Sequence, residues 1–226
     1  MIHLIVSIRL PDGDSVIVGD LAVADPDANR GALRGEFRYR QSYLDDPRAF
    51  SIDPEHLPLA PGIFEANRPR AGVPAVFEDS LPDDWGRELL VRKYQLARDE
   101  QRVPVFLRLI GVNGLGALRY EDASPHRGRP AAPGVVARRR TAPRQDLAAL
   151  RRRSAAVSDL PALNAAARRA LQGGEDRRPA GGNPLAGGDS RNDLDLLFQA
   201  GSSPGGARPK VLLIDEGIHW LAKLPM

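Results

Sequence analysis

The sequence has no cysteine and no long apolar run. Without cysteine it can form neither a disulfide framework nor a thiolate metal site, and this composition fits a reducing compartment. Its first ten residues lack the basic start and apolar core of a secretory signal, and no stretch approaches the length of a membrane span. We therefore expect a soluble cytoplasmic protein that does not act at a membrane.

The net charge of +3 over 226 residues is distributed unevenly. Residues 126–178 hold thirteen arginines and four acidic residues, a local charge of +9, so the rest of the chain sums to −6. The clusters Arg138–Arg140 and Arg151–Arg153 could contact phosphate backbones, but no aromatic residue is interleaved to stack on bases. A solvated basic linker is the favoured interpretation. A nucleic-acid-binding protein is the alternative, and it predicts a salt-dependent affinity that follows this segment.

The first 122 residues predict one α+β unit that begins with an antiparallel, β-rich part. Apolar alternation on both sides of the turn residues Pro11–Asp14 predicts a hairpin of Ile2–Leu10 and Ser15–Gly19. Further strand-like runs are Gly35–Tyr39 and Ala49–Ile52. The proline-rich stretch from 54 to 74 cannot form a regular helix.

A helix is predicted from about Ser80 to Tyr94, because a cap candidate, an early proline and acidic residues open it. Its acids Asp79, Asp83 and Asp84 are interpreted as surface groups that complement the helix dipole, rather than as a metal cluster. Trp85, Leu89 and Arg92 share one stripe. We expect the core of this unit to include Phe77, Leu81, Trp85 and Leu89. A second helix, Val105–Ile110, and a returning strand, Gly116–Tyr120, complete the unit.

Residues 123–190 predict a basic linker rich in Arg, Ala, Pro and Gly. Helices are expected at Gln145–Arg153 and Leu160–Leu171, and the glycines of 172–190 predict a mobile stretch. Such a long loop within one compact domain would be unusual. We therefore divide the chain into units of residues 1–122 and 191–226, joined by this linker.

Residues 191–226 predict a short helix, a glycine-rich loop and a hairpin. The helix candidate is Asn192–Phe198, and the loop Ala200–Lys210 precedes strands at Val211–Ile214 and Ile218–Leu224. Backbone amides in such a loop can approach an anion closely, and Lys210 and Lys223 could add charge. The spacing is not that of a Walker loop. For the glycines alone, a flexible connector is the alternative.

Four blocks of the sequence resemble the HipA family of serine/threonine kinase toxins in order and approximate spacing. They are Phe77–Gly86, Leu109–Leu118, Ala200–Lys210 and Trp220–Pro225. The resemblance covers most of residues 1–122 and 194–226. It implies a β-rich N-terminal subdomain followed by the glycine-rich loop and hairpin that start a kinase N-lobe.

The resemblance also implies an activity, namely ATP- and Mg²⁺-dependent phosphorylation of serine in a protein such as an aminoacyl-tRNA synthetase. It implies a type II toxin–antitoxin system linked to persistence, in which a helix-turn-helix antitoxin neutralises the kinase and brings it indirectly to operator DNA. The positions that match the family's ATP site are Gly205, Gly206, Ala207, Arg208, Pro209, Lys210 and Lys223. Ser203, or its neighbour Ser202, matches an autophosphorylated loop serine.

The chain departs from the family pattern after Lys223, where it ends before any counterpart of the catalytic and magnesium-binding aspartates. Because those groups position the hydroxyl and hold the metal ions, we expect the chain alone to be inactive and to hold no metal. One interpretation is a truncated or split kinase whose C-terminal half carries catalysis. The alternative is a non-catalytic, antitoxin-like module that docks on a separately encoded kinase core.

Overall fold

A five-stranded antiparallel sheet organises the first part of the fold. In the computed structural model, the described residues are 1–26, 33–68, 70–114, 116–123, 155–175, 192–194, 196–197, 210–216 and 218–224. The strand order is β4-β3-β2-β1-β5, with β1 at Ile2–Arg9, β2 at Ser15–Val23, β3 at Gly35–Tyr39, β4 at Phe64–Glu65 and β5 at Leu118–Asp122. The predicted α+β class with an antiparallel, β-rich beginning is confirmed.

The opening hairpin forms as its alternation predicts. Leu4 lies opposite Leu21, and the alternate residues Val6 and Ile8 are buried with Leu4 on the core side of β1. The register shifts between Val6 and Ser7, where β2 contributes one additional residue. The hairpin therefore lies within the sheet, with β3 beside β2 and β5 beside β1.

The strand predicted at Ala49–Ile52 does not form. The amide of Phe50 donates to the Tyr43 hydroxyl and the amide of Ile52 donates to the Tyr39 hydroxyl, each over 3.2 Å. These amides are thus satisfied by tyrosine side chains instead of a neighbouring strand, so an extended segment follows the sheet without joining it.

Three short 3₁₀ helices lie at Arg98–Glu100, Gly111–Asn113 and Val157–Asp159, and they are accompanied among the described residues by five α-helices. The α-helices are α1 (Gln41–Leu44), α2 (Ala75–Glu78), α3 (Asp84–Tyr94), α4 (Val103–Ile110) and α5 (Leu160–Glu175), and residues 192–194 and 196–197 are also helical. The predicted helix at Val105–Ile110 corresponds to α4. No helix within the described ranges is long and apolar enough to cross a membrane.

The helix predicted from Ser80 begins later, at Asp84. The Ser80 hydroxyl donates to the Phe77 carbonyl and lies 2.5 Å from the Tyr120 hydroxyl, so it is occupied within the first core. Asp83 is the N-cap instead, because its side chain accepts the Gly86 amide.

A second, three-stranded sheet has the order β6-β7-β8, with β6 at Ala155–Ala156, β7 at Lys210–Asp215 and β8 at Ile218–Lys223. The antiparallel pair β7–β8 is the predicted hairpin. The pairing of β6, from the predicted linker, parallel to β7 was not predicted. Because two residues carry almost no periodic signal, β6 is recognised only from its partner.

Helix α5 runs past Gly173 and Gly174 to Glu175. The helix therefore extends four residues beyond Leu171, where the sequence predicted its end. Leu163, Ala166 and Ala167, at helical spacing, are fully buried, so packing anchors the helix despite its glycines. The helix predicted at Gln145–Arg153 and residues 176–190 lie outside the described residues.

Two apolar cores lie on different sides of α3. The first, between the five-stranded sheet and helices α2–α4, includes Phe77, Leu81 and Leu90. The second contains Trp85 and Leu89 together with Ala155, Leu163, Ala166, Ala167, Leu194, Leu197, Val211, Leu213 and Leu224. The assignment of Trp85 and Leu89 to the first core is therefore wrong. They are buried, but against residues 155–224, because the stripe they form faces away from the sheet.

Candidate functional site

The two lysines singled out from the sequence come together on the β7–β8 hairpin. Lys210 begins β7 and Lys223 ends β8, and the two residues lie directly opposite each other in the antiparallel register. Opposite residues in such a pair place their side chains on one face of the sheet. The hairpin therefore brings both positions to the same end of one sheet face, as a shared anion would require.

The predicted loop residues are not placed beside these lysines. Residues 201–209 lie outside the described residues, so the structure tests none of the positions proposed for phosphate binding or modification there, namely Ser202, Ser203, Gly205, Gly206, Ala207, Arg208 and Pro209. Only Lys210 and Lys223 of the predicted site can be placed.

Lysine is scarce in this chain, which makes its placement informative. Of the 32 Lys and Arg residues only three are lysines, namely Lys93, Lys210 and Lys223. Two of the three are therefore partners in one hairpin. An ammonium is a compact point charge that binds phosphate without the planar geometry that a guanidinium imposes.

Lys210 is held against the start of α3. Its Nζ lies 3.9 Å from Oδ2 of Asp83, and only 10% of the Lys210 side chain and 4% of the Asp83 side chain are exposed. The other carboxylate oxygen of Asp83 accepts the Gly86 amide over 2.9 Å at the start of α3. Asp83 was interpreted from the sequence as a surface group, whereas it is a buried cap that faces a lysine.

Helix α3 fixes this geometry because it packs on both sides. Trp85 and Leu89 enter the second core, and one turn further along, the Arg92 guanidinium donates to the Ala170 carbonyl of α5. Arg92 also donates to Glu88 over 2.7 Å. The predicted stripe of Trp85, Leu89 and Arg92 is thus the surface that attaches residues 155–224 to the first domain.

A second polar cluster lies on the five-stranded sheet, where the sequence suggested nothing. Asp20 accepts two hydrogen bonds from Arg40, over 3.1 and 2.8 Å, and lies 3.5 Å from His3 and 3.8 Å from Arg38. These residues line an open cleft of about 690 Å³ with Tyr39, Gln41 and Ser42. Strand register places Asp20 and Arg38 opposite each other on β2 and β3, and Arg40 follows the end of β3.

The charge of Asp20 is stabilised by its neighbours. The hydrogen bond from Arg40 lowers the pKa of the carboxyl, desolvation raises it, and the charges of Arg40, His3 and Arg38 lower it further. The net effect is a pKa below the ordinary value. Asp20 is therefore an anion that ties β2 to β3, and the cleft contains groups of both signs.

Lys210 and Lys223 supply positive charge, whereas within the described ranges no three His, Cys, Asp or Glu side chains are grouped so that they could hold a metal. Magnesium prefers carboxylate and phosphate oxygens.

Comparison with known families identifies the first domain. Residues 15–121 match the family described as the HipA N-terminal domain, a range that runs from the start of β2 into β5. The chain therefore contains a HipA N-terminal domain, and the resemblance stated from Phe77–Gly86 and Leu109–Leu118 is confirmed for this part. No curated protein matches the chain.

Proposed function

We propose that this chain supplies the N-terminal domain and the first nucleotide-binding strands of a HipA-like serine/threonine protein kinase. The observation that carries the proposal is the placement of Lys210 directly opposite Lys223 on a hairpin that packs against a HipA N-terminal domain. Paired ammonium groups suit the closely spaced negative charges of ATP phosphates.

In this proposal Lys210, Lys223 and the loop Gly205–Pro209 form one wall of the ATP site. The catalytic aspartate and the ligands for Mg²⁺ belong to the C-terminal half of the kinase. When bound, magnesium would neutralise charge on the transferred phosphoryl group. Ser203 or Ser202 would be the site of autophosphorylation, and the protein would act in the cytoplasm.

The proposed substrate is a serine of a protein such as an aminoacyl-tRNA synthetase. The proposed regulator is a helix-turn-helix antitoxin of a type II toxin–antitoxin system, through which the kinase would reach operator DNA. These assignments extend the membership of residues 15–121 in the HipA N-terminal domain family.

Phosphoryl transfer tests this division of labour. The purified chain alone should incorporate no labelled phosphate into itself or into a protein substrate. Adding the C-terminal half of a HipA-family kinase should produce ATP-dependent incorporation, and Lys223→Ala in the chain should reduce it. Incorporation by the chain alone would contradict the assignment of catalysis to the C-terminal half. If the mixture is equally active with Lys223→Ala, the proposed ATP site is contradicted.

A second candidate function is a non-catalytic module that docks on a separately encoded kinase core. The exposed apolar residues Ile218, Trp220 and Leu221 on β8, the outer strand of the three-stranded sheet, favour such a contact. If this candidate is correct, the chain should bind an already complete kinase and lower its activity. Binding that Trp220→Ser does not weaken would contradict it.

A further inference from the structure

We propose that Asp83 is a positioning residue for Lys210, so that the HipA N-terminal domain forms part of the nucleotide site. The link to nucleotide rests on the proposed function, whereas the control of Lys210 by Asp83 is tested without it.

The first step is the burial of the pair. Lys210 Nζ and Asp83 Oδ2 are 3.9 Å apart, and both side chains are almost completely removed from water. Burial of an ammonium and a carboxylate is favourable only when opposite charge and hydrogen bonds compensate for the lost hydration. The Asp83 charge therefore favours the observed position of the Lys210 ammonium over positions in solvent.

The second step is the rigidity of the carboxylate. Asp83 caps α3 through its hydrogen bond from the Gly86 amide, and Trp85, two residues along, is buried in the same core as Val211 of β7. The cap and this core fix the carboxylate relative to the hairpin. Asp83 thus acts as a stationary counter-charge for the first residue of β7.

The third step connects this geometry to the phosphates. Protein kinases require an ion pair between a strand lysine and a helix carboxylate, which keeps the lysine directed at the nucleotide. Here the carboxylate caps α3, inside the HipA N-terminal domain, and the lysine belongs to the hairpin. Loss of the Asp83 charge should therefore release Lys210 and weaken its interaction with ATP.

Asp83→Asn separates the charge from the cap, because asparagine caps a helix as well as aspartate does. Asp84→Asn, one residue further into the helix, is the matched control. Since the chain has three lysines, acetylation followed by mass spectrometry reports each amine separately, with Lys93 as the internal standard. Without nucleotide, Lys210 should react several-fold faster in Asp83→Asn, and at the wild-type rate in Asp84→Asn.

The same labelling is repeated with ATP and Mg²⁺ on the chain mixed with a HipA-family C-terminal half. The ATP concentration that half-protects Lys210 should rise about tenfold in Asp83→Asn, the size expected for weakening one charge-assisted contact. If Asp83→Asn does not fold, Asp83→Ser supplies another neutral cap.

Two results would overturn the inference, namely an unchanged Lys210 rate in the neutral variants without nucleotide, or tighter ATP protection in them. The second would show that Asp83 competes with the phosphates. An absence of ATP protection in the wild type would contradict the proposed function instead, since the nucleotide-free rates still decide whether Asp83 controls Lys210.

Discussion

Leu89 and Leu90 are neighbours in α3, yet their side chains are buried in two different cores. Leu90 packs with the five-stranded sheet, and Leu89 packs with α5 and the β7–β8 hairpin. Helix α3 is therefore shared by the HipA N-terminal domain and the segment that carries the two lysines. A substitution that alters the packing on one face of α3 should also alter the packing on the opposite face, because buried side chains are close-packed.

Trp85→Ala should destabilise the protein by about 3–5 kcal/mol, because it leaves a large cavity in the second core. The matched control is Trp220→Ala, since Trp220 is 54% exposed and its loss should change stability by less than about 0.5 kcal/mol. Chemical denaturation followed by circular dichroism measures both. Equal midpoints for Trp85→Ala and the wild type would contradict the second core.

Asp20→Asn should cost about 1–3 kcal/mol, since it removes the charged acceptor of two Arg40 hydrogen bonds. Asp12→Asn is a suitable control, because Asp12 is exposed. Its carboxylate lies 3.5 Å from Arg48 at the protein surface. Thermal unfolding at neutral pH compares the two variants. A larger loss in Asp12→Asn than in Asp20→Asn would refute the importance of the cluster.

The stability of the protein at acidic pH should depend on the carboxyl of Asp20. The pKa of Asp20 is lowered in the folded protein, so its contribution is fully present above its unfolded pKa and is lost as pH falls through the lower folded value. Wild-type stability should therefore fall as the pH drops below the ordinary pKa of an aspartate, and the fall should be smaller in Asp20→Asn. Parallel curves for the two proteins would contradict this assignment.

Asp193→Asn should loosen the attachment of residues 192–197 to α5. Arg169 donates to both oxygens of Asp193, over 2.6 and 2.7 Å, and lowers the pKa of this carboxyl. Because the Arg169 side chain is 56% exposed, we expect a cost of only about 1 kcal/mol. We expect faster amide hydrogen exchange in α5 of the variant, with no change in β1–β3. Unchanged exchange in α5 would contradict this prediction.

The sequence predicted the helices and strands that are determined by residues close together in the chain. The turn at Pro11–Asp14 and the alternation beside it determine the first hairpin, and the periodicity of α3 predicted both the helix and its stripe. Ala49–Ile52 also has strand character, but Tyr39 and Tyr43 take its amides, and those hydroxyls come from elsewhere in the sequence. Period alone cannot show which core a stripe faces, so Trp85 and Leu89 were assigned to the wrong one.

In the candidate site, too, some contacts follow from local sequence and others depend on residues distant in the chain. The opposition of Lys210 and Lys223 follows from the hairpin register, in which Asp215 pairs with Ile218. The approach of Asp83 to Lys210 depends on the packing of α3 against a segment distant in sequence, and no local pattern encodes it. The Asp20 cleft likewise requires three strands in register before its charges meet.

The measurement that tests the account most directly is a titration of ATP and Mg²⁺ into the chain mixed with the C-terminal half of a HipA-family kinase, compared with the chain alone. The chain alone should bind weakly at best, because the proposed function assigns the opposite wall of the cleft to the C-terminal half of the kinase. In the mixture, Lys223→Ala should weaken ATP binding by about tenfold or more, whereas Lys93→Ala should match the wild type. Equal ATP affinity for the wild type and Lys223→Ala would contradict the central claim that the hairpin lysines hold the nucleotide.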